Sequence, residues 1–175
     1  MADFTAAVYQ NEFLADGGTD VQAIVSVTCA NAGKAGQGGS GDAGEIIIID
    51  TSGSMGVETM EGAKAAAIAA LNEIVDGTWF SVISGNGAAF LAYPNVRSGP
   101  GMVRMDDRTR GEGARAINAL SAAGGTVIST WLDLAGTLFA SVPEVTQRHV
   151  LLLTDGENNE PASVLDAAIK RATNY

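Results

Sequence analysis

The chain has 175 residues, of which 46% are hydrophobic and 17% charged, so it can bury a core and does not have the composition of a disordered protein. Its 20 acidic and 10 basic residues give a net charge of -10, which argues against nucleic acid as the partner because such a surface repels phosphate backbones. The single cysteine, Cys29, and the single histidine, His149, exclude a disulfide framework, a multi-cysteine zinc site and a histidine-cluster metal site.

The N-terminal sequence lacks the basic segment and apolar core of a secretory signal. No apolar run approaches the roughly 20 residues that a membrane-spanning helix needs. The longest runs, 46–49 and 150–153, have the length of a strand. We therefore expect a cytoplasmic protein that does not contact a membrane.

The first 30 residues predict a β-hairpin. Alternation places residues 21, 23, 25, 27 and 29 on one apolar face, and residues 15–19 have the composition of a turn. Because an isolated hairpin is only marginally stable in water, we interpret 1–30 as part of an incomplete β-sandwich. Residues 31–44 are rich in glycine, which predicts a flexible linker and a domain boundary, and they contain no phosphate-binding P-loop pattern.

The remainder of the chain alternates between strands and helices. The pattern predicts a strand at 45–50, a helix at 57–75, strands at 79–84 and 88–93, a loop at 95–105, helices at 107–122 and 127–140, a strand at 149–154 and a helix from about 161. Asn86-Gly87 favours a hairpin between the two short strands. Repeated strand–loop–helix units predict a three-layer α/β fold of the doubly wound, Rossmann-like type, with a mostly parallel sheet and one antiparallel edge strand.

Oxygen-bearing side chains follow both buried strands of this predicted sheet. Asp50 ends the first buried strand and Asp155 ends the second, and ligands of open α/β sheets bind at the carboxyl ends of neighbouring strands. Ser52 and Ser54 lie in the first loop and Thr126 in a Gly-Gly-Thr loop. Carboxylates and hydroxyls without Cys or His favour a hard divalent cation, Mg²⁺, Mn²⁺ or Ca²⁺.

The same residues carry a resemblance to a known family. Asp50-Thr51-Ser52-Gly53-Ser54 resembles the Asp-x-Ser-x-Ser motif of the von Willebrand factor A (VWA) family, Gly125-Thr126 its threonine loop, and Thr154-Asp155-Gly156 its second aspartate loop. All five positions of the family's metal-ion-dependent adhesion site (MIDAS) are filled in order. The resemblance covers about residues 44–172, with the domain itself interpreted as 45–175.

The resemblance implies a function in binding. Ser52, Ser54 and Thr126 would reach the metal directly, whereas Asp50 and Asp155 would often act through water or hydroxyl hydrogen bonds. Neutral direct ligands leave the cation electrophilic, so that it accepts an Asp or Glu side chain of a partner protein as its last ligand. No nucleophile or general base is needed, and we predict that the chain is not an enzyme.

The sequence also departs from the pattern of the family. A complete domain of this family usually has about two more strands and a helix after 162–175, so the chain resembles a truncated domain of the bacterial intracellular type. The exposed sheet edge and the N-terminal hairpin are then candidate surfaces for pairing with another molecule or a second copy.

Two other functions remain open at this point. A Mg²⁺-dependent phosphotransferase or phosphatase would also place an aspartate and a metal at the tip of a parallel sheet. However, the loop after Asp50 lacks a second aspartate two residues on, and no lysine lies near Asp155. The third possibility is a scaffold whose metal site is vestigial.

Several other polar and aromatic residues have simpler interpretations. Residues 157–160 border the predicted cleft and are interpreted mainly as a solvent-facing loop. The charged run at Asp106, Asp107, Arg108 and Arg110 is interpreted as a solvated helix start. His149, Trp79 and Trp131 are interpreted as structural, Cys29 as a small buried hydrophobe, and Arg97 and Arg104 as loop residues of undecided position.

Overall fold

The computed structural model describes residues 3–10, 23–30, 43–95 and 99–173, and the chain divides into two compact units, residues 1–38 and 39–175. In the first unit, β1 (Asp3–Gln10) pairs antiparallel with β2 (Ala23–Ala30). The two predicted N-terminal strands are therefore confirmed. The predicted turn at 15–19, the apolar face of the second strand and most of the linker lie outside what is described.

In the second unit, the described residues form a five-stranded sheet and four α-helices. Its elements are β3 (Ala43–Asp50), α1 (Gly56–Glu73), β4 (Trp79–Gly85), β5 (Ala89–Tyr93), β6 (Val103–Arg104), α2 (Asp107–Asn118), α3 (Ile128–Ala140), β7 (Gln147–Leu153) and α4 (Ala162–Ala172). The strand order is β5-β4-β3-β7, and β6 pairs with β4. Strand β3 is parallel to both β4 and β7, whereas β5 and β6 are antiparallel to β4. The predicted three-layer α/β fold is confirmed.

Alternate residues of β3 form two separate cores. Ile47 and Ile49 pack in a cluster with residues of α1 and α2, and Ile46 and Ile48 pack in a cluster with residues of α3. All four isoleucines are at most 2% exposed. This burial on both faces explains why the strand sequence is continuously apolar rather than alternating. It also fixes the carboxyl end of β3 between α1 and α3.

The segment 95–105 differs from the predicted loop. Val103 and Arg104 form β6, opposite Phe80 and Trp79 at the start of β4. The Arg104 guanidinium lies 4.5 Å from the centre of the Trp79 ring and donates to the Gly77 carbonyl at 2.7 Å. Arg104 therefore lies at the end of the sheet opposite to Asp50. Arg97 lies outside the described residues.

The second predicted helix is shorter than the sequence pattern indicated, because α2 ends at Asn118 rather than at residue 122. Its first turn is closed by a capping box in which Asp106 accepts the Thr109 N–H at 2.7 Å and Thr109 Oγ1 accepts the Asp106 N–H at 2.8 Å. The bonds from Thr109 lower the pKa of the Asp106 carboxyl. The stabilising effect of this ionised cap is present above the usual aspartate pKa and is lost as the pH falls through the lowered value.

Arg110 is not simply part of a solvated helix start, which corrects the sequence interpretation. Its guanidinium reaches across to the end of α1, donating to the Leu71 carbonyl at 2.6 Å and the Ile74 carbonyl at 3.0 Å. It also pairs with Asp76 at 2.7 Å. The last carbonyls of a helix have no partner within the helix, so this side chain from α2 satisfies them.

We expect Arg110→Ala to lower the free energy of unfolding by about 1–2 kcal/mol, since carbonyls at the end of α1 lose a charged hydrogen-bond donor. Arg108→Ala is the matched control. The Arg108 side chain is exposed and forms an i,i+4 pair with Glu112 at 2.9 Å, so its loss is expected to cost about 0.5 kcal/mol or less. Urea denaturation measures both, and equal losses would contradict the assignment.

The outer strand β7 is more exposed than its sequence predicted. Val150 and Leu151 of β7 are 40% and 39% exposed, although they belong to the apolar run that the sequence predicted to be a buried strand. His149 of the same strand is exposed and hydrogen-bonds through Nδ1 to Glu45 at 2.8 Å, in keeping with a structural role. Pairing of this edge with another molecule stays a prediction.

None of the helices in the described ranges has the length and apolarity to cross a membrane.

Candidate metal centre

The first loop of the candidate site begins at Asp50, the last residue of β3, whose side chain is 0% exposed. One carboxylate oxygen accepts the Ser52 N–H at 2.8 Å and the other accepts the Thr154 hydroxyl at 2.8 Å. Burying a carboxylate is costly unless hydrogen bonds or an opposite charge compensate it, and both of these donors are neutral. The arrangement places a buried carboxyl group at the tip of the sheet, with only neutral hydrogen-bond donors beside it.

The two serines of the first loop lie side by side. Ser52 has extended backbone, whereas Ser54 lies in a short 3-10 turn at Gly53–Met55, yet their Oγ atoms are 2.9 Å apart. Side chains two residues apart in a fully extended loop would lie on the same side. The observed cause is different, because it is the 3-10 turn that brings Ser54 back beside Ser52.

The second loop, which precedes α3, is hydrogen-bonded to the first. The Gly53 N–H donates to the Gly124 carbonyl at 2.8 Å, and the Ala123 N–H donates to the Thr51 carbonyl at 2.7 Å. Gly124 has a positive φ of 84°, a conformation that glycine adopts without steric cost. These bonds place Thr126, which is 2% exposed, on a segment attached to the serine loop.

The third loop follows β7 and carries Asp155. Because β7 is parallel to β3, with Leu153 opposite Ile49, the two aspartates leave the sheet at the same edge. Asp155 is exposed, and its Oδ1 accepts the Glu157 N–H at 3.1 Å. The neighbouring Thr154 joins this loop to Asp50, as described above.

The five predicted residues are therefore brought together to different degrees. Asp50, Ser52 and Ser54 are joined by hydrogen bonds within one loop. No hydrogen bond in the described residues joins the side chains of Thr126 and Asp155 directly to those three, although both lie on loops bonded to the first one. Their role as metal ligands stays a prediction.

The donor set has the chemistry that a hard cation requires. It consists of two carboxylates and three hydroxyls, and the described residues contain no group of three or more His, Cys, Asp or Glu side chains that could hold a metal. None of the five predicted side chains is a thiolate or an imidazole, the ligands that softer metals prefer. Oxygen-bearing side chains, small residues and a buried carboxyl group would suit a divalent cation of the Mg²⁺ or Ca²⁺ class.

Sequence reasoning missed three residues that organise the loops. Thr154 bonds to Asp50, Asn159 to Thr126, and Glu160 to Ser129. The interpretation of 157–160 as a solvent-facing loop is consistent with the exposed Glu157 but incomplete for Asn159 and Glu160. The only available signal was that these polar residues lie near Asp155 in the chain, Thr154 just before it and Asn159 and Glu160 a few residues after it, which does not identify their partners.

Comparison with known proteins decides the family. The family model described as von Willebrand factor type A domain matches residues 46–157, which is more than half of the chain and includes all five predicted ligand positions. The chain belongs to the von Willebrand factor type A domain family. VWA domains are typically metal-dependent protein-interaction modules.

The chain is also similar to one solved protein of the same family and to one curated protein. The solved von Willebrand factor type A protein from Catenulispora acidiphila is 36% identical with a TM-score of 0.68, and the match covers 96% of this chain and 37% of that one. An uncharacterized protein of Synechocystis sp. is 33% identical over 114 residues, which are 64% of this chain and 24% of that protein. The VWA chain thus spans well under half the length of either relative.

A more distant similarity concerns metal occupancy. Proximal thread matrix protein 1 from the mussel byssus, solved with a zinc-occupied MIDAS motif, is 20% identical with a TM-score of 0.53, and the match covers 75% of this chain and 34% of that one. At this identity the similarity shows a shared fold.

Proposed function

We propose that this VWA domain is a binding module that holds a divalent cation at Asp50, Ser52, Ser54, Thr126 and Asp155 and uses it to capture an Asp or Glu side chain of a partner protein. The observation that supports this most directly is the buried Asp50 carboxylate beside two hydroxyls that are 2.9 Å apart. A cation at this edge of the sheet would offset the buried charge and give the hydroxyls a common ligand.

The ligand chemistry favours binding over catalysis. The two carboxylates supply two negative charges, and only hydroxyls complete the proposed protein ligand set. If the aspartates act mainly through hydrogen bonds, the cation keeps much of its charge and attracts a further anionic ligand. A carboxylate from another protein satisfies that need with a charge-assisted contact and no covalent step.

The proposed metal is Mg²⁺ first, with Mn²⁺ or Ca²⁺ as alternatives. All three accept carboxylate and hydroxyl oxygens, and none requires the sulfur or imidazole ligands that this site lacks. The zinc-occupied MIDAS motif of the mussel protein supports divalent occupancy of this type of site in the fold.

Metal binding can be tested by thermal unfolding. We expect saturating Mg²⁺ or Mn²⁺ to raise the melting temperature, because a ligand of the native state stabilises by about 2.7 kcal/mol at a concentration one hundred times its Kd. Ser54→Ala should remove this shift. Ser163→Ala, at an exposed serine of α4, is the matched control and should keep it. A full shift in Ser54→Ala would contradict the ligand assignment.

Partner capture requires a second experiment. Cell extract passed over the immobilised domain with Mg²⁺ should yield a protein that EDTA releases and that Ser54→Ala fails to retain. Replacing Asp or Glu residues of the recovered partner by Asn or Gln should abolish capture. Metal-dependent hydrolysis of a phosphate ester, lost in Asp50→Asn, would instead indicate an enzyme, and capture insensitive to EDTA would indicate a scaffold with a vestigial site.

A further inference from the structure

Asn159 is joined to the backbone of Thr126 by two hydrogen bonds. Its side-chain Oδ1 accepts the Thr126 N–H at 2.7 Å, and its own N–H donates to the Thr126 carbonyl at 2.9 Å. Thr126 is 2% exposed and is a predicted metal ligand, whereas Asn159 belongs to the loop that carries Asp155. The loop that carries Asp155 and the loop that carries Thr126 are thus joined at Thr126, one of the predicted metal ligands.

Gly125 makes this close approach possible. A Cβ atom at position 125 would lie 3.0 Å from the Asn159 Oδ1, closer than ordinary van der Waals contact. Gly125 was assigned to the family motif from the sequence. The geometry gives it a physical role, which is to leave room for the amide oxygen of Asn159.

Glu160 adds a second connection one residue further on. Its Oε1 accepts the Ser129 N–H at 2.8 Å, and its Oε2 accepts the Ser129 hydroxyl. Ser129 lies in the first turn of α3, where backbone N–H groups have no partner within the helix and a negative charge is favourable. The connection therefore fixes the start of α3, directly after Thr126, to the end of the Asp155 loop.

We infer that Asn159 is a positioning residue that sets the metal affinity of the site by holding the Thr126 loop against the Asp155 loop, with Glu160 in support. The inference rests on the proposed metal site. A ligand held in place before binding costs less free energy to order when the metal arrives, and partners that orient metal ligands typically change affinity by about 10- to 100-fold when they are removed.

The test measures Mn²⁺ affinity by titration calorimetry and, separately, the melting temperature in EDTA. Asn159→Ala is expected to weaken Mn²⁺ binding by about tenfold or more. The metal-free melting temperature should fall only modestly, because the Thr126 N–H loses its side-chain acceptor while the backbone bond between Asn159 and Thr126 remains. Gly125→Ala, which pushes the Asn159 amide away from the loop, should weaken binding in the same direction.

Two variants separate positioning from other effects. Asn159→Asp keeps a side-chain acceptor for the Thr126 N–H, but its added negative charge would itself attract Mn²⁺. The comparison is therefore made at high salt, where that charge is screened, and there the Mn²⁺ affinity of Asn159→Asp should be close to that of the wild type. Asn158→Ala makes the same substitution one residue earlier, where the Oδ1 atom has no hydrogen-bond partner in the described residues, and should bind Mn²⁺ as the wild type does.

The outcomes distinguish this inference from the proposal on which it rests. A wild-type chain that does not bind Mn²⁺ refutes the metal site itself. Wild-type binding with equal affinity in Asn159→Ala refutes only the positioning role. An equal loss in Asn158→Ala, or a fall in the EDTA melting temperature with no change in affinity, also overturns it, because the effect would then belong to general loop stability.

Discussion

Asp50→Asn is expected to abolish metal binding while leaving the metal-free domain at least as stable as the wild type. The asparagine oxygen can still accept the Ser52 N–H, and the amide group can donate to the Thr154 hydroxyl, which then acts as acceptor. The substitution keeps the shape of the side chain but removes a negative charge that is 0% exposed and contacts neutral donors. Such a charge opposes folding until a cation binds beside it.

The measurement is urea denaturation in EDTA and in excess Mn²⁺. The wild type should gain about 2.7 kcal/mol at a Mn²⁺ concentration one hundred times its Kd, and the variant should gain nothing. Asp166→Asn, at an exposed position of α4, removes the same charge elsewhere and should keep the full gain. If Asp50→Asn still responds to Mn²⁺, or is much less stable than the wild type in EDTA, the carboxylate holds the fold rather than the metal.

Sequence patterns predicted the strands, turns and helices of this domain that are determined by residues adjacent in the chain. The two apolar strands, the Asn-Gly hairpin and the described helices of the VWA domain follow from apolar runs, helical periodicity and turn residues, so β3, β7 and the helices appear close to their expected positions. The predicted burial is correct for β3 but not for Val150 and Leu151 of β7. The short β6 was missed because a two-residue strand has no periodicity of its own. It exists because β4 offers Phe80 and Trp79 as partners.

Contacts between distant segments could not be predicted in the same way. Arg110 lies 36 residues from Ile74, and Asn159 lies 33 residues from Thr126. Nothing in the local sequence distinguishes these side chains from solvated polar residues, because their partners are backbone groups that any sequence would supply. The motif therefore identified the candidate ligands, whereas the residues that connect the loops required the three-dimensional arrangement.

Trp131→Ala is expected to be the most destabilising single substitution considered, with a loss of about 3–5 kcal/mol out of a typical total of about 5–15 kcal/mol. The ring is 0% exposed and packs so closely on Gly85 that a Cβ there would lie 2.3 Å from a ring atom. Its Nε1 donates to the Asn86 carbonyl at 2.9 Å, and the same carbonyl accepts the Val127 N–H at 3.0 Å. Removing the ring leaves a cavity and releases a support beside Thr126.

Trp79→Ala provides the matched comparison, because it deletes the same ring from a half-buried position whose Nε1 has no hydrogen-bond partner in the described residues. We expect a clearly smaller loss, and circular dichroism during urea denaturation measures both without depending on tryptophan fluorescence. If the two losses were equal, the close packing of Trp131 on Gly85 and its bond to Asn86 would not contribute to stability. Trp131→Phe refines the result, since it keeps most of the volume and should lose about 1 kcal/mol for the hydrogen bond.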